Sequence, residues 1–281
     1  MSPVVHRTQH GAEVSAPADT VYRLLAEAGD WPLIYPRIIH AEQVPDGAEG
    51  QELVRIWGTA DTGVEHWSSW RELDPGRRRI SFRPTGIGPP LVSMSGDWVV
   101  EPLSRTSCTL KLLHAFSVVD DDPAELSRIG VAVDSNSREE LAGLKEQLEW
   151  LEQNARLVFS FKHSMRFPGR AADVYDAVDR AVQQPVRACL PHRLIAYRQA
   201  DPPPSARLHT ACWTFAEDAA GVRATVRHTV VVERGPYASV AQARDQVRSV
   251  LRDESRMLLR GVADSVRDTA ERRRWQPPFP N

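Results

Sequence analysis

Residues 64–74 read VEHWSSWRELD. Two tryptophans, two serines, a histidine and an arginine occupy positions 66–71. On a strand, successive side chains face opposite ways. One row therefore carries Trp67, Ser69 and Arg71, and the other His66, Ser68 and Trp70. An inward arginine brings an always protonated guanidinium with five N–H donors, suited to an oxyanion that develops during a reaction. Buried without a partner, it is costly. Facing outward, it would lie over Trp67 with its charge in water. Both rows hold a tryptophan, so alternation leaves both orientations open.

Other candidates lie elsewhere. In SCTLKLLHAFSVV, residues 107–119, the row Leu110, Leu112, His114 and Phe116 is the apolar, inward one. His114 is then either a satisfied core histidine or an acid–base group with an intrinsic pKa near neutrality. Its recurrence as His228 supports the structural reading. GDWPLIYPRI, residues 29–38, sets Trp31, Pro32, Tyr35 and Pro36 in a stiff aromatic loop. The loop reads as a plug over a helix end or as a pocket wall that offers the Tyr35 hydroxyl to a ligand.

No Gly-rich phosphate loop, His-Glu metalloprotease helix or nucleophile elbow occurs, which argues against nucleotide, zinc and covalent-serine mechanisms. Cys108, Cys189 and Cys212 lack metal spacing, suit a reducing compartment and are expected as small core residues. A net charge of −2 gives no overall attraction to nucleic acid or an anionic membrane. The runs Arg77-Arg78-Arg79 and Arg272-Arg273-Arg274 read as solvated surface. No apolar run reaches the ~18 residues of a membrane span. MSPVVHRTQHG lacks the plan of a signal peptide, so a cytoplasmic protein is expected.

The elements that must position these residues form one plan used twice. The chain has 281 residues, enough for two domains. Residues 138–158 carry a helical apolar stripe at 141, 144, 148, 151, 155 and 158, and residues 240–274 carry a second one. Gly130 weakens extension of the first helix back toward Pro123. Strand patterns at 77–84, 91–102 and 107–119 precede the first helix, and patterns at 192–199, 207–217 and 222–233 precede the second. APADTVYRLL and GRAADVYDAV begin the two halves, and Trp98 and His114 recur as Trp213 and His228. This is an internal duplication. It divides the chain into domains of residues 1–156 and 157–281, with FSFKHSMRF opening the second. The second half lacks the segment from IIHAEQVPDG through VEHWSSWRELD. The layout is α+β, and a curved sheet on a long helix leaves a hollow suited to an apolar ligand.

The phrases DWPLIYP, HWSSWRELD and NSREELAGLKEQLEWLE resemble the aromatase/cyclases of bacterial type II polyketide synthases, and the duplication resembles their didomain subclass. The implied fold is START-like: two tandem helix-grip domains, each a curved antiparallel sheet on a long C-terminal helix, the second with fewer strands. The resemblance turns Trp67, Ser69 and Arg71 inward. It puts Trp31, Tyr35 and Asn136 in the same pocket, and His114 as in some relatives. The second domain carries no W-x-S-x-R and is expected to be structural, packing on the first as a monomeric pseudo-dimer.

The activity implied is cofactor-independent aldol cyclisation, then dehydration to an aromatic ring, of a poly-β-ketone on an acyl carrier protein, closing the first ring between carbons 7 and 12. Other synthase subunits are possible partners. The resemblance covers both unreduced chains and chains reduced at carbon 9. Arg71 would anchor and stabilise enolate and alkoxide, Ser69 orient a carbonyl or water, Tyr35 or His114 relay a proton, and Trp31 and Trp67 form flat walls. Arg71→Ala is expected to lose correct product while staying folded, and the Arg77–Arg79 turn is a candidate carrier contact. The rival reading is a START-like carrier of a hydrophobic molecule, for which a mostly apolar pocket is expected.

Overall fold

A computed structural model describes residues 4–45, 50–60, 63–233, 235 and 237–274. The chain divides between Asn154 and Ala155 into two compact units. Unit 1 runs β1 (His6–Val14), α1 (Ala18–Ala26), α2 (Trp31–Ile34), β2 (Ile38–Pro45), β3 (Gln51–Ala60), β4 (Gly63–Asp74), β5 (Arg79–Pro84), β6 (Leu91–Pro102), β7 (Cys108–Val118) and α3 (Pro123–Asn154). Its seven strands form one sheet, ordered β1-β7-β6-β5-β4-β3-β2, with every pair antiparallel.

Helix α3 continues back through Gly130 to Pro123, past the start that the glycine suggested. Asp122 Oδ1 accepts from the backbone N–H of Ala124 at 2.8 Å, which caps the helix. Pro123 fits the first turn because its missing N–H would have no helical partner. The stripe Val133, Leu141, Leu144, Leu148 and Leu151 is buried. Strand β1, absent from the sequence-based reading, pairs with β7 and closes the order.

Unit 2 runs β8 (Val158–Phe167), α4 (Ala171–Ala181), β9 (Arg187–Leu190), β10 (Leu194–Arg198), β11 (Ala206–Asp218), β12 (Gly221–Val232) and α5 (Val240–Arg274). Its five strands are ordered β8-β12-β11-β10-β9. The missing segment is thus smaller in strands than the sequence suggested. The short β9, RACL, holds the edge beside β10 and bears no tryptophan, serine or arginine row.

The two units keep a common register. His114 pairs with Thr8 on one side and Gly96 on the other. His228 pairs with Phe161 and Ala211. Ser137 on α3 donates to Val133 O at 2.6 Å and meets His114 Nδ1 at 3.4 Å. Ser255 on α5 donates to Leu251 O at 2.8 Å and meets His228 Nε2 at 3.0 Å. This matches Leu141 to Leu259, Leu144 to Val262 and Leu148 to Val266, all buried.

Of the cysteines, Cys108 is buried and Cys189 is exposed, so Cys189 is not the core residue expected. The side chains of Arg272, Arg273 and Arg274 lie outside the described residues. Among the described residues, no helix is long and apolar enough to cross a membrane.

Candidate active site

On β4 the row Ser69 and Arg71 is buried, while Trp70 on the other row is 37% exposed. Arg71 pairs with Glu52 across β3 and β4, and the two side chains form a buried ion pair. Nε and Nη2 of Arg71 both donate to Glu52 Oε1, the first at 3.0 Å. Nη1 donates to Leu25 O at 2.9 Å and Nη2 to Ala26 O at 2.7 Å. Those carbonyls end α1, where the helix dipole favours a cation. Glu52 Oε2 accepts from Gln43 Nε2 at 2.9 Å. Trp31 Nε1 also donates to Leu25 O, and the Arg71 guanidinium lies 4.9 Å from the Trp31 ring centroid.

This network explains why an arginine is tolerated inside, and it narrows the expected role. Four N–H bonds are committed, leaving one on Nη1 for a ligand. Glu52 offsets the charge, so Arg71 is a held donor and wall anchor more than a bare cation. Glu52 was not among the residues singled out from the sequence. QELVRIW reads as a half-exposed strand, and only the register sets Glu52 opposite Arg71.

A cavity of about 640 Å³ opens between the sheet and α3, within the ~300–1,000 Å³ of small-molecule sites. It gathers Trp31, Tyr35, Trp67, Ser69, Arg71, His114 and Asn136, with Ile34, Ile56, Phe82, Trp98 and Leu144 as apolar lining. Trp67 is 44% exposed, so it is a partly open wall. Trp31 meets Tyr35 edge to face, 5.6 Å between centroids.

Glu140 is the acidic residue that the sequence hid. It follows Glu139 on a charged helix stretch that reads as solvated face. Yet Asn136, Glu140 and Gly143 follow one helical stripe into the cavity. Much of the Glu140 side-chain surface is accessible, but that surface lines the cavity. Protein surrounds its carboxyl and raises its pKa to about 7 by desolvation, opposed by a hydrogen bond with Tyr35. Burial holds the Tyr35 hydroxyl well above its ordinary pKa; Glu140 adds to this and Arg71 opposes it. Tyr35 therefore stays a proton donor across the neutral range.

His114 points into the same cavity, with Phe82 edge-on to its ring at 5.8 Å. Burial first, and His10 second, lower its pKa, so it is a neutral imidazole at pH 7. Ser137 gives its own proton to Val133 O, so its oxygen accepts from His114 Nδ1–H. The lone pair is then on Nε2. Gly96 opposite His114 makes room for Phe82: a Cβ there would meet Phe82 Cζ at 2.3 Å and Leu113 O at 2.7 Å.

The Arg77–Arg79 turn is less available than its sequence suggested. Arg77 pairs with Asp74 at 3.3 Å, Arg78 with Asp19 at 2.6 Å and Arg79 with Asp97 at 2.7 Å. Among the described residues, no three His, Cys, Asp or Glu side chains are arranged to hold a metal ion.

Residues 5–149 match the family model described as polyketide cyclase/dehydrase and lipid transport. The chain is 33% identical to the granaticin polyketide synthase bifunctional cyclase/dehydratase of Streptomyces violaceoruber, over 94% of this chain and 95% of that one. It is 30% identical to the actinorhodin polyketide synthase bifunctional cyclase/dehydratase of Streptomyces coelicolor, over 93% and 97%. Among solved structures, the di-domain ARO/CYC BexL from the BE-7585A biosynthetic pathway superposes with a TM-score of 0.79 at 38% identity, covering 93% of this chain and 98% of that one.

Proposed function

The chain belongs to the polyketide cyclase/dehydrase and lipid transport family, and from that premise we propose that it is a bifunctional cyclase/dehydratase of a type II polyketide synthase. Its substrate is a poly-β-ketone carried on an acyl carrier protein. It closes the first ring between carbons 7 and 12 by aldol addition and then removes water to make the ring aromatic, without a cofactor. It works in the cytoplasm beside its synthase. Residues 1–156 hold the site, and residues 157–281 are structural.

One observation carries this reading over a plain carrier of hydrophobic molecules: Arg71, Tyr35, Glu140 and His114 converge on one mostly apolar cavity. A carrier needs no acid–base pair matched to neutral pH. A base for a methylene between two ketones works best with a pKa near the operating pH, and Glu140 has one of about 7.

Glu140 takes the methylene proton. The free N–H of Arg71 and the Tyr35 hydroxyl donate to the oxygens on which charge develops. Tyr35 protonates the new alkoxide, and Glu140, now acidic, returns the proton to Tyr35. Ser69 orients a carbonyl. Neutral His114 takes the second carbon-bound proton, Tyr35 gives its hydroxyl proton to the departing hydroxide to make water, and the tyrosinate then recovers a proton from solvent. Trp31, Trp67 and Asn136 hold the chain bent, which removes much of the entropic barrier to ring closure.

The test is reconstitution with a minimal synthase, with and without a ketoreductase. Correctly cyclised aromatic product should replace shunt products when the chain is added. An identical product profile with and without the chain would overturn the reading.

A further inference from the structure

Behind His114, on the β1 side, lies a polar layer that ring closure does not use. Thr8 pairs directly with His114, and His10 follows on the same face. Thr8 Oγ1 and His10 Nδ1 are both buried and have no hydrogen-bond partner among the described residues. His10 Nε2 lies 3.0 Å from Asp134 Oδ1 on α3. The Asp134 side chain is 43% exposed and faces Arg138 at 3.7 Å.

The donors and acceptors can be assigned. His10 gives its Nε2 proton to Asp134, so its buried Nδ1 is an acceptor lacking a donor. The Thr8 hydroxyl is a donor lacking an acceptor. His114 has committed Nδ1–H to Ser137, so its Nε2 is also an acceptor. A water molecule that accepted from Thr8 and donated to both ring nitrogens would satisfy all three, as buried polar groups generally require.

We propose that Thr8, His10 and Asp134 form a hydrated proton path between His114 and solvent; this rests on reading His114 as a proton-transfer group. A proton on His114 Nε2 passes to the water, and the water's own proton passes to His10 Nδ1. His10 releases its Nε2 proton to the Asp134 carboxylate, which loses it to solvent. One proton enters and one leaves; His10 is left protonated on Nδ1 instead of Nε2, and a turn of its ring restores the starting arrangement before the next transfer. His114 is thereby reset without drawing bulk water through the cavity that holds the reactive chain.

Unit 2 has the same positions with the path removed. Phe161 replaces Thr8 and stacks on His228 at 4.7 Å. His163 stands where His10 does, pairing with Val226 as His10 pairs with Leu112. The helix position of Asp134 is Arg252, a cation that helps lower the His163 pKa after burial and Arg256. A carboxylate exit has become a positive barrier.

The test uses the whole protein, nitrogen-15 labelled at histidine, with the variants Thr8→Val, Asp134→Asn and Asp134→Arg. Exchange of the His114 ring proton with solvent is read by NMR, and product profile by reconstitution. Each variant should slow ring exchange by about tenfold, below the ~10²-fold weight of a direct acid–base group, and raise the share of cyclised but undehydrated product. Thermal midpoints identify unfolded variants. A purely structural layer, once loosened, would speed exchange instead. Exchange that is unchanged or faster in folded Thr8→Val and Asp134→Asn overturns the path. Slowed exchange in a protein that cyclises nothing would retain the path and overturn the functional reading.

Discussion

The two units hold the same histidine–serine couple between sheet and long helix, and they surround it differently. In unit 1, His114 borders a cavity, and the helix position one turn beyond Ser137 is Glu140. In unit 2 the matching helix position is Leu258, packed against the core. His228 is sealed by His209, whose Nε2 meets His228 Nδ1 at 2.9 Å, while His209 Nδ1 meets the Gln199 amide at 2.5 Å. Ser255 gives its proton to Leu251 O. His228 Nε2–H therefore donates to Ser255, and His209 Nε2–H to His228. Gln199 Oε1 ends the chain at His209 Nδ1. Every ring nitrogen of His209 and His228 has a partner, and none is left free for chemistry. The same couple faces a hollow in one unit and is closed in by its neighbours in the other.

The contrast breaks most visibly at Arg71, which has no counterpart row in unit 2. Arg71→Ala leaves Glu52 buried without its cation and takes one donor from each of the carbonyls of Leu25 and Ala26. About 3–5 kcal/mol of unit 1 stability should go, a large share of a typical ~5–15 kcal/mol, together with nearly all correct product. Denaturant titration checks the first part. Removing both charges with Arg71→Met and Glu52→Leu should restore most of the stability but no product. Equal product from the double variant would remove Arg71 from the mechanism.

Glu140→Gln comes next. It should lower cyclisation by ~10²-fold or more while leaving the thermal midpoint within a few degrees. Installing the unit 2 residue, Glu140→Leu, should do the same. A variant that keeps half of the wild-type product yield would shift the base to another group.

Acid should then separate the units. Burial, and His228 beside it, push the His209 pKa down to about 3; burial and His163 push His228 down to about 4. In the unfolded chain both return to about 6.5. Their stability contribution is therefore present above pH ~6.5 and is lost as pH falls toward 4. Glu140 runs the other way. Its folded pKa of about 7 exceeds the ordinary 4.5, so its contribution is present below pH 4.5 and lost as pH rises through 7. Hydrogen exchange between pH 7 and pH 4.5 should show unit 2 losing protection before unit 1. Unit 1 opening first would contradict the assignment.

The smallest effect belongs to the outer row of β4. Trp70→Ser should shift stability by no more than ~0.5 kcal/mol and leave the product profile unchanged, in contrast to Arg71 next to it. A product change would mean that the exposed face takes part.

What the sequence made legible followed from pattern strength. Strands β6, β7, β11 and β12 and the long helices came through because apolar alternation or a sustained helical stripe reports burial directly. His114 was found inward for that reason. The row of Arg71 was not decided by alternation, since tryptophans stand on both faces; resemblance turned it inward, and the side chain is buried. Glu52 and Glu140 were invisible because a charged side chain in an amphipathic pattern reads as solvated. Its partner is fixed by strand register in one case and by a cavity in the other. Strand β1 was missed because HRTQHGAEV mixes histidines and a glycine where a strand signal expects branched apolar residues. Its inward face carries Thr8 and His10, which serve a polar layer.

Gly96 acts as a gauge for the depth of the hollow. A single added methyl there collides with the Phe82 ring and with backbone at Leu113, and the matching residue of unit 2, Ala211, bears that methyl. Tyr197, two residues beyond Ile195 as Phe82 is beyond Ile80, pairs across from Ala211. The choice between glycine and alanine on one strand thus sets how far an aromatic ring may lean back. The residue at that one position thus measures the room left for the ring beside it.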